Sequence, residues 1–432
     1  MKILVVGAGA REHALAVQLA SEPGTSVVCA PGNPGIARDV PVMPVDATNP
    51  AAILALADAI HADLTVIGPE GPLAAGVVDG FLAAGRPIFG PTRAAAQLET
   101  SKAFAKAIMQ RYGVPTAASI VCDTAAEALQ ALAAGALGWP VVVKADGLAA
   151  GKGVVIAPDR ASAEAAVRAA MLESAFGEAG ARVVLEECLF GEELSYFVIA
   201  AGERFAACGS AQDHKRLLDG DQGPNTGGMG AFAPSVLMTD ALRAQLDREV
   251  VVPVLAGMAA EGTPFVGFLY CGLMLTPGGP RVIEFNCRFG DPEAQVVLPL
   301  LAEPLGPLLL AATTGADLPV QAEFSDDVAV GVVLASRGYP NAPDAGHEIH
   351  GVERVRIEHP DASVCFAGVG ERAGRLVTAG GRVLTVVGRA ASYGAAISAA
   401  YAAADCLAFD GVQRRADIGA RAVRPGPPRA EP

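Results

Sequence analysis

Residues 1–90 alternate short β-branched runs with alanine-rich helical stretches, and no other feature of the chain constrains its fold as strongly. The runs are Ile3–Val6, Val27–Cys29, Leu64–Ile67 and Ile88–Phe89. Helical stretches lie at Glu12–Ser21, Ala51–His61 and Leu73–Ala84. Parallel neighbours need a long crossover, and a helix is the usual one, so the pattern predicts an open parallel sheet covered on both faces. Each run ends in a glycine turn: GAG at 7–9, PGNPG at 31–35, GPEGP at 68–72 and GPT at 90–92. Ligands of such sheets bind at the carboxyl ends of the strands, where these turns gather.

From Ser101 the texture changes to mixed α+β. Thr124 and Glu127 read as a capping box opening a helix that Gly135 ends. Strands are expected at 141–145, 153–157 and 182–187, with a helix near 160–173. Gly202-Glu203 reads as a type II′ turn between Leu194–Ala201 and Arg204–Gly209. A glycine-rich loop is expected at 220–231, then a long helix from Thr239. Strands at 265–275 and 281–287 are expected to be joined by Pro277-Gly278-Gly279. Residues 328–385 read mostly as strands, followed by a helix at 391–405. With 432 residues, two or three domains are expected. The boundaries read as an α/β domain over 1–100, a central domain with antiparallel sheets over 101–325, a mostly-β C-terminal domain with one helix over 326–423, and a tail, 424–432, too polar to fold.

Lys and Arg number 32 against 46 Asp and Glu, a net charge of −14 that disfavours nucleic-acid and anionic-membrane partners. Glu261, Gly262, Glu303 and prolines interrupt the most apolar stretches, so no membrane span is expected. Arg11, Glu12 and His13 fall where a signal peptide would be cleaved, so the chain reads as cytoplasmic. The eight cysteines are scattered without a C-x-x-C pair, which reads as reduced, mostly buried thiols without structural zinc.

Four motifs carry chemistry. Gly7-Ala8-Gly9-Ala10-Arg11-Glu12 follows a strand and opens a helix, but Glu12 occupies the third glycine position of a dinucleotide fingerprint. The second strand, ending at Ala30, also lacks the acid that would hold a ribose. What remains is a phosphate seat at a helix N-terminus beside Arg11. The segment from Lys144 to Gly153 is one residue too short for a Walker loop, and Gly153 stands where Ser or Thr is needed. Two lysines around a flexible glycine segment still suit a lid over a triphosphate. In Arg281–Arg288, period-2 alternation puts Glu284, Asn286 and Arg288 on one face. The first two are hard oxygen ligands for Mg²⁺, and the third suits a transferring phosphoryl group. Finally, the basic cluster His214-Lys215-Arg216 precedes a glycine-rich loop around Asn225 that can wrap a ligand.

These strings resemble the phosphoribosylamine–glycine ligases, the glycinamide ribonucleotide synthetases of the ATP-grasp superfamily. The matching motifs are KADGLAAGKGV at 144–154, QDHKR at 212–216, PNTGGMGA at 224–231 and FNCRFGDPE at 285–293. Supporting motifs run from GAGAREHAL at 7–15 to TAGGRVL at 378–384, nearly the whole chain. The resemblance implies an ATP-grasp central domain with a lid at about 115–190, and ligation of glycine to 5-phosphoribosylamine through glycyl phosphate in the second step of purine synthesis. It implies that Lys102 and Lys144 contact the nucleotide phosphates and that a loop containing Gly151, Lys152 and Gly153 closes over them. Glu186, Glu187 and Leu189 would form the adenine hinge, with Glu193 on the ribose. Glu284 and Asn286 would hold Mg²⁺ or Mn²⁺. A further metal carboxylate known in some ATP-grasp enzymes falls here at Gly272. Arg288 would stabilise the transferred phosphoryl group, with Asp213, Lys215, Asn225, Gly290 and Asp291 on the acceptor side. Gly9, Arg11, Asn33 and Glu70 would meet the ribosylamine. The expected partners are these small molecules, with the chain a monomer or dimer. Rival readings are a carboxylating or formylating purine ligase, an NAD-dependent oxidoreductase and a catalytically inactive nucleotide-binding regulator.

Overall fold

The four N-terminal runs form one parallel sheet in the order Ser26–Pro31, Lys2–Gly7, Leu64–Ile67, Ile88–Phe89. The computed structural model describes residues 1–148, 153–173 and 175–423, so the expected unfolded tail lies outside the described residues. Ile3, Leu4, Val5 and Val6 are all fully buried, as a parallel strand covered on both faces requires. The helix expected at 73–84 is instead two, Glu70–Ala74 and Val77–Ala83. Gly76, at φ 81°, breaks it in a left-handed conformation that a side chain would strain.

A second sheet of four antiparallel strands has the order Ser119–Cys122, Val183–Glu187, Val141–Ala145, Val154–Ala157. Helices Ala125–Ala134 and Arg160–Met171 pack on it through Ala128, Leu132, Ala163 and Val167. The Thr124–Glu127 capping box is present, and Gly135 ends its helix at φ 69°.

The largest sheet has eight antiparallel strands. Their order is Gly279–Asn286, Val266–Thr276, Glu192–Ala201, Arg204–Asp213, Gly230–Ala233, Val328–Ala335, Arg382–Ala390 and Ala362–Phe366. Ala201 pairs with Arg204 across a two-residue turn with Gly202 at φ 69°. The expected 220–231 loop is largely structured. Arg216–Leu218 pairs with Gln222–Asn225, and Gly230–Ala233 pairs with Val328–Ala335. That last pairing fuses the central and C-terminal sheets into one. Residues 328–385 also contain a helix, Val352–Glu358. The long helix expected from Thr239 is capped by Thr239 and runs to Ala260 through a π-helical stretch, Asp247–Val251. Among the described residues no helix is long and apolar enough to cross a membrane.

Candidate active site

A cleft of about 540 Å³ opens where the three sheets meet. Its floor is the hairpin Val266–Thr276 and Gly279–Asn286, and its roof is the four-stranded sheet. The floor strand does not alternate strictly: Gly272 faces Glu284 but Leu273 faces Val282, so Ile283 is the extra residue of a β-bulge. The bulge sends Val282, Phe285 and Cys287 into one core cluster. Glu284, Asn286 and Arg288 remain on the cleft side. The bulged carbonyl of Ile283 accepts a hydrogen bond from Lys144 Nζ at 3.1 Å, tying roof to floor.

Glu284 is ringed by cations. Burial alone would raise its carboxyl, but Lys215, Lys144, Lys102 and Arg288 outweigh that and hold it below the ordinary carboxylate value. An ionised carboxylate two residues from the Asn286 amide is an oxygen donor set that fits Mg²⁺ or Mn²⁺, with phosphates and water completing the shell. The neighbouring strand adds no second carboxylate. Gly272 sits opposite Glu284, and a Cβ there would lie 3.0 Å from the Tyr270 ring.

Arg288 is clamped by residues distant in sequence. Its Nη2 lies 2.9 Å from Glu99 Oε1, while Glu99 Oε2 accepts the Cys287 N–H at 2.7 Å. Its Nε, 3.5 Å from Glu70 Oε2, is buried without a hydrogen-bond partner. A buried donor left unused on a cleft wall suits an anionic ligand. Glu70 links on to Arg11 at 3.9 Å.

On the roof, Glu186 lies between two lysines, its oxygens 2.9 Å from Lys106 Nζ and 3.0 Å from Lys144 Nζ. Its carboxylate is thereby committed, and Glu187, Cys188 and Leu189 line the cleft beside it. Glu187 Oε1 accepts the Ala118 N–H at 2.9 Å. Burial lowers the Lys102 and Lys106 amines from their ordinary value. Lys102 Nζ donates to Gly147 O at 3.2 Å, and Asp146 accepts from Ala103 N–H at 2.7 Å, fixing the start of the expected lid loop. Gly151 and Lys152 lie outside the described residues; Gly153 lines the cleft.

At the far end, Lys215 Nζ lies 2.9 Å from Glu193 Oε2. Burial pushes the Asp213 carboxyl up to about 7, against the pull of Lys215 and with help from Glu293 and Glu193. Glu293, buried, accepts from Ser195 Oγ at 3.1 Å. Asp291 is held by Arg382 Nη2 at 2.9 Å and by Gln295 Nε2 at 2.7 Å. Arg382 also donates to the carbonyl of Gly227, so Asn225–Gly227 close over the cleft. Gly290 lines the same end.

Two residues expected at the ribosylamine make other contacts in this structure. The phosphate seat at Gly9 is filled by the chain's own Glu12. Its Oε2 accepts the Gly9 N–H at 2.7 Å and its Oε1 the Arg11 Nε–H at 2.6 Å. Asn33 is also spent. Its Nδ2 donates to Ala8, Phe366 and Ala367 carbonyls and its Oδ1 accepts from Gly35 and Ile36, pinning the N-terminal domain to the C-terminal one. Neither residue lines the cleft, whereas Arg11 and Glu70 do. Sequence reasoning missed Glu99, Lys106, Glu293 and Arg382, each of which reaches the cleft from an unremarkable helix or strand.

The chain matches the phosphoribosylglycinamide synthetase family in three parts: the N domain over residues 1–99, the ATP-grasp (A) domain over 100–294 and the C domain over 329–421. It is 50% identical over 430 residues to the phosphoribosylamine–glycine ligase of Caulobacter vibrioides, covering 98% of this chain and 99% of that one. It is 48% identical over 426 residues to the enzyme of the same name from Ralstonia nicotianae, covering 98% and 100%. The crystal structure of phosphoribosylamine–glycine ligase from Thermotoga maritima matches with a TM-score of 0.84 at 35% identity, over 96% of this chain and 100% of that one.

Proposed function

The chain belongs to the phosphoribosylglycinamide synthetase family and is an ATP-dependent ligase, and from that premise we propose how its cleft joins glycine to 5-phosphoribosylamine. The observation that carries the proposal is the convergence of Lys102, Lys144, Lys215 and Arg288 around the ionised Glu284.

Lys102 and Lys144 bind the ATP phosphates, the Glu187–Leu189 edge receives the adenine, and Glu193 reaches the ribose. Glu284 and Asn286 hold Mg²⁺ or Mn²⁺, which when bound supplies charge neutralisation on the phosphates. A glycine carboxylate oxygen attacks the γ-phosphorus, the bond to the β,γ-bridging oxygen breaks, and ADP leaves behind an acyl phosphate. Arg288, held by Glu99 and Glu70, sets its guanidinium charge against the transferring group. The ribosylamine nitrogen then attacks the acyl carbon, expels phosphate and loses a proton as the amide forms. Arg11 and Glu70 face the ribosylamine, while Asp213, Lys215, Asn225, Gly290 and Asp291 enclose the acceptor end. Walls of this kind position the reactants and keep water from the acyl phosphate.

The test is ADP release with Mg-ATP, glycine and freshly prepared phosphoribosylamine, one component omitted at a time. Release is expected only with both acceptors present, with one amide formed per ADP. A requirement for bicarbonate or formate instead would replace the substrates with those of a carboxylating or formylating ligase.

Asp213 is the proton acceptor in this scheme. Its carboxylate form grows as pH rises toward about 7. Values of kcat/KM for the ribosylamine should therefore climb with pH and level off above that point. Asp213→Asn should remove the climbing limb; an unchanged profile would assign the proton to another group.

A further inference from the structure

We propose that Glu358, His359 and Cys406 form a binding site for a divalent transition metal of the zinc class on the C-terminal domain. None of the three lines the catalytic cleft. Two helices bring them together. Val352–Glu358 ends with Glu358, and His359 is its C-cap at φ −129°, ψ 65°. Tyr393–Ala404 is capped by Asp405, and Cys406 follows. Both helices thus turn their carbonyl ends toward the cluster, the end whose dipole favours a cation.

The geometry is close to what such a metal requires. Cys406 Sγ lies 3.3 Å from His359 Nε2. Tetrahedral zinc, with bonds of about 2.3 Å to sulfur and 2.0 Å to nitrogen, sets those two atoms about 3.5 Å apart. The carboxylate of Glu358 completes a group whose ligand atoms all lie within 4.8 Å of one another. The ligands are also anchored before any metal arrives. The His359 N–H donates to Val355 O at 2.9 Å, its carbonyl accepts from Ala362 N–H at 3.0 Å, and the Cys406 N–H donates to Ala403 O at 3.1 Å.

Accessibility is graded. Cys406 is buried, His359 half-buried and Glu358 exposed, which gives an entry path and leaves a fourth position for water. Arg354 pairs with Glu358 at 3.0 Å and lies beside the Cys406 thiol. The exposed Arg354–Glu358 pair is weak enough for Glu358 to leave it for a metal. A bound ion would staple the two helix ends, an addition to stability with no part in turnover. Cobalt(II) reports such a site directly, because a thiolate ligand gives a ligand-to-metal charge-transfer band.

The experiment is a Co²⁺ titration of the full chain after chelator treatment, with excess Mg²⁺ occupying the catalytic cleft. One equivalent should raise a thiolate–cobalt band that Zn²⁺ abolishes. Cys406→Ser should lack the band, and His359→Gln should weaken binding by about tenfold or more. Both variants should keep wild-type ADP release, and Zn²⁺ should raise the melting temperature of the wild type only. Absence of the band in the wild-type chain, or its persistence in Cys406→Ser, would overturn the proposal.

Discussion

Replacing Glu284 with glutamine is expected to lower kcat by about 10²–10³-fold, the usual cost of removing one preorganised electrostatic group from an active site. The carboxylate stands among Lys215, Lys144, Lys102 and Arg288, so the substitution removes a negative charge that all four cations face. It also removes the only anionic oxygen of the Glu284–Asn286 donor pair. Glutamine keeps the shape, and the strand is held by its pairing with Val266–Thr276 on one side and by Thr116, whose hydroxyl donates to Val282 O at 2.7 Å. The melting temperature should therefore stay near wild type. Steady-state ADP release, thermal melting and Mn²⁺ binding by electron paramagnetic resonance separate the outcomes. Near-normal turnover with unchanged Mn²⁺ affinity would remove Glu284 from the metal site.

The parts of this cleft that lie on one short segment were legible in the sequence. Period-2 alternation places Glu284, Asn286 and Arg288 together, and glycine and cap residues predict the Gly202-Glu203 hairpin and the Thr124–Glu127 helix start, because these signals are local. The bulge at Ile283 was not legible, since it depends on how the neighbouring strand registers at Gly272 and Leu273. Nor was the clamp on Arg288. Glu99 lies 189 positions before it, in a short helix, Gln97–Thr100, that carries no distinctive pattern. Glu12 shows the converse limit. Its spacing correctly argues against a dinucleotide fold, but only the coordinates reveal that it folds back to fill the helix N-terminus itself. The cysteines read as thiols without structural zinc because His359 and Cys406, whose proximity carries the metal proposal, are separated in the chain by four strands and a helix. Proximity created by topology leaves no spacing rule in the chain.

Lys144→Ala should raise the KM for ATP by about 10–100-fold, the range that loss of one charge-assisted hydrogen bond of about 1.5–3 kcal/mol gives. The KM for glycine should change far less, because Lys144 projects from the roof strand Val141–Ala145 and not from the acceptor end. Its neighbour distinguishes binding from scaffolding. Glu186 offsets both Lys144 and Lys106, and all three side chains are nearly inaccessible. Glu186→Ala strands two buried ammonium groups, so it should destabilise the chain by about 3–5 kcal/mol. Lys144→Ala instead leaves the Glu186–Lys106 pair at 2.9 Å intact, so its loss should fall mainly on the nucleotide. Kinetics with each substrate varied in turn, alongside melting curves for both variants, test the division. Equal rises in KM for ATP and glycine in Lys144→Ala would mean that the roof positions both substrates. The four-stranded sheet would then act as a wall of the whole cleft and not as a nucleotide lid.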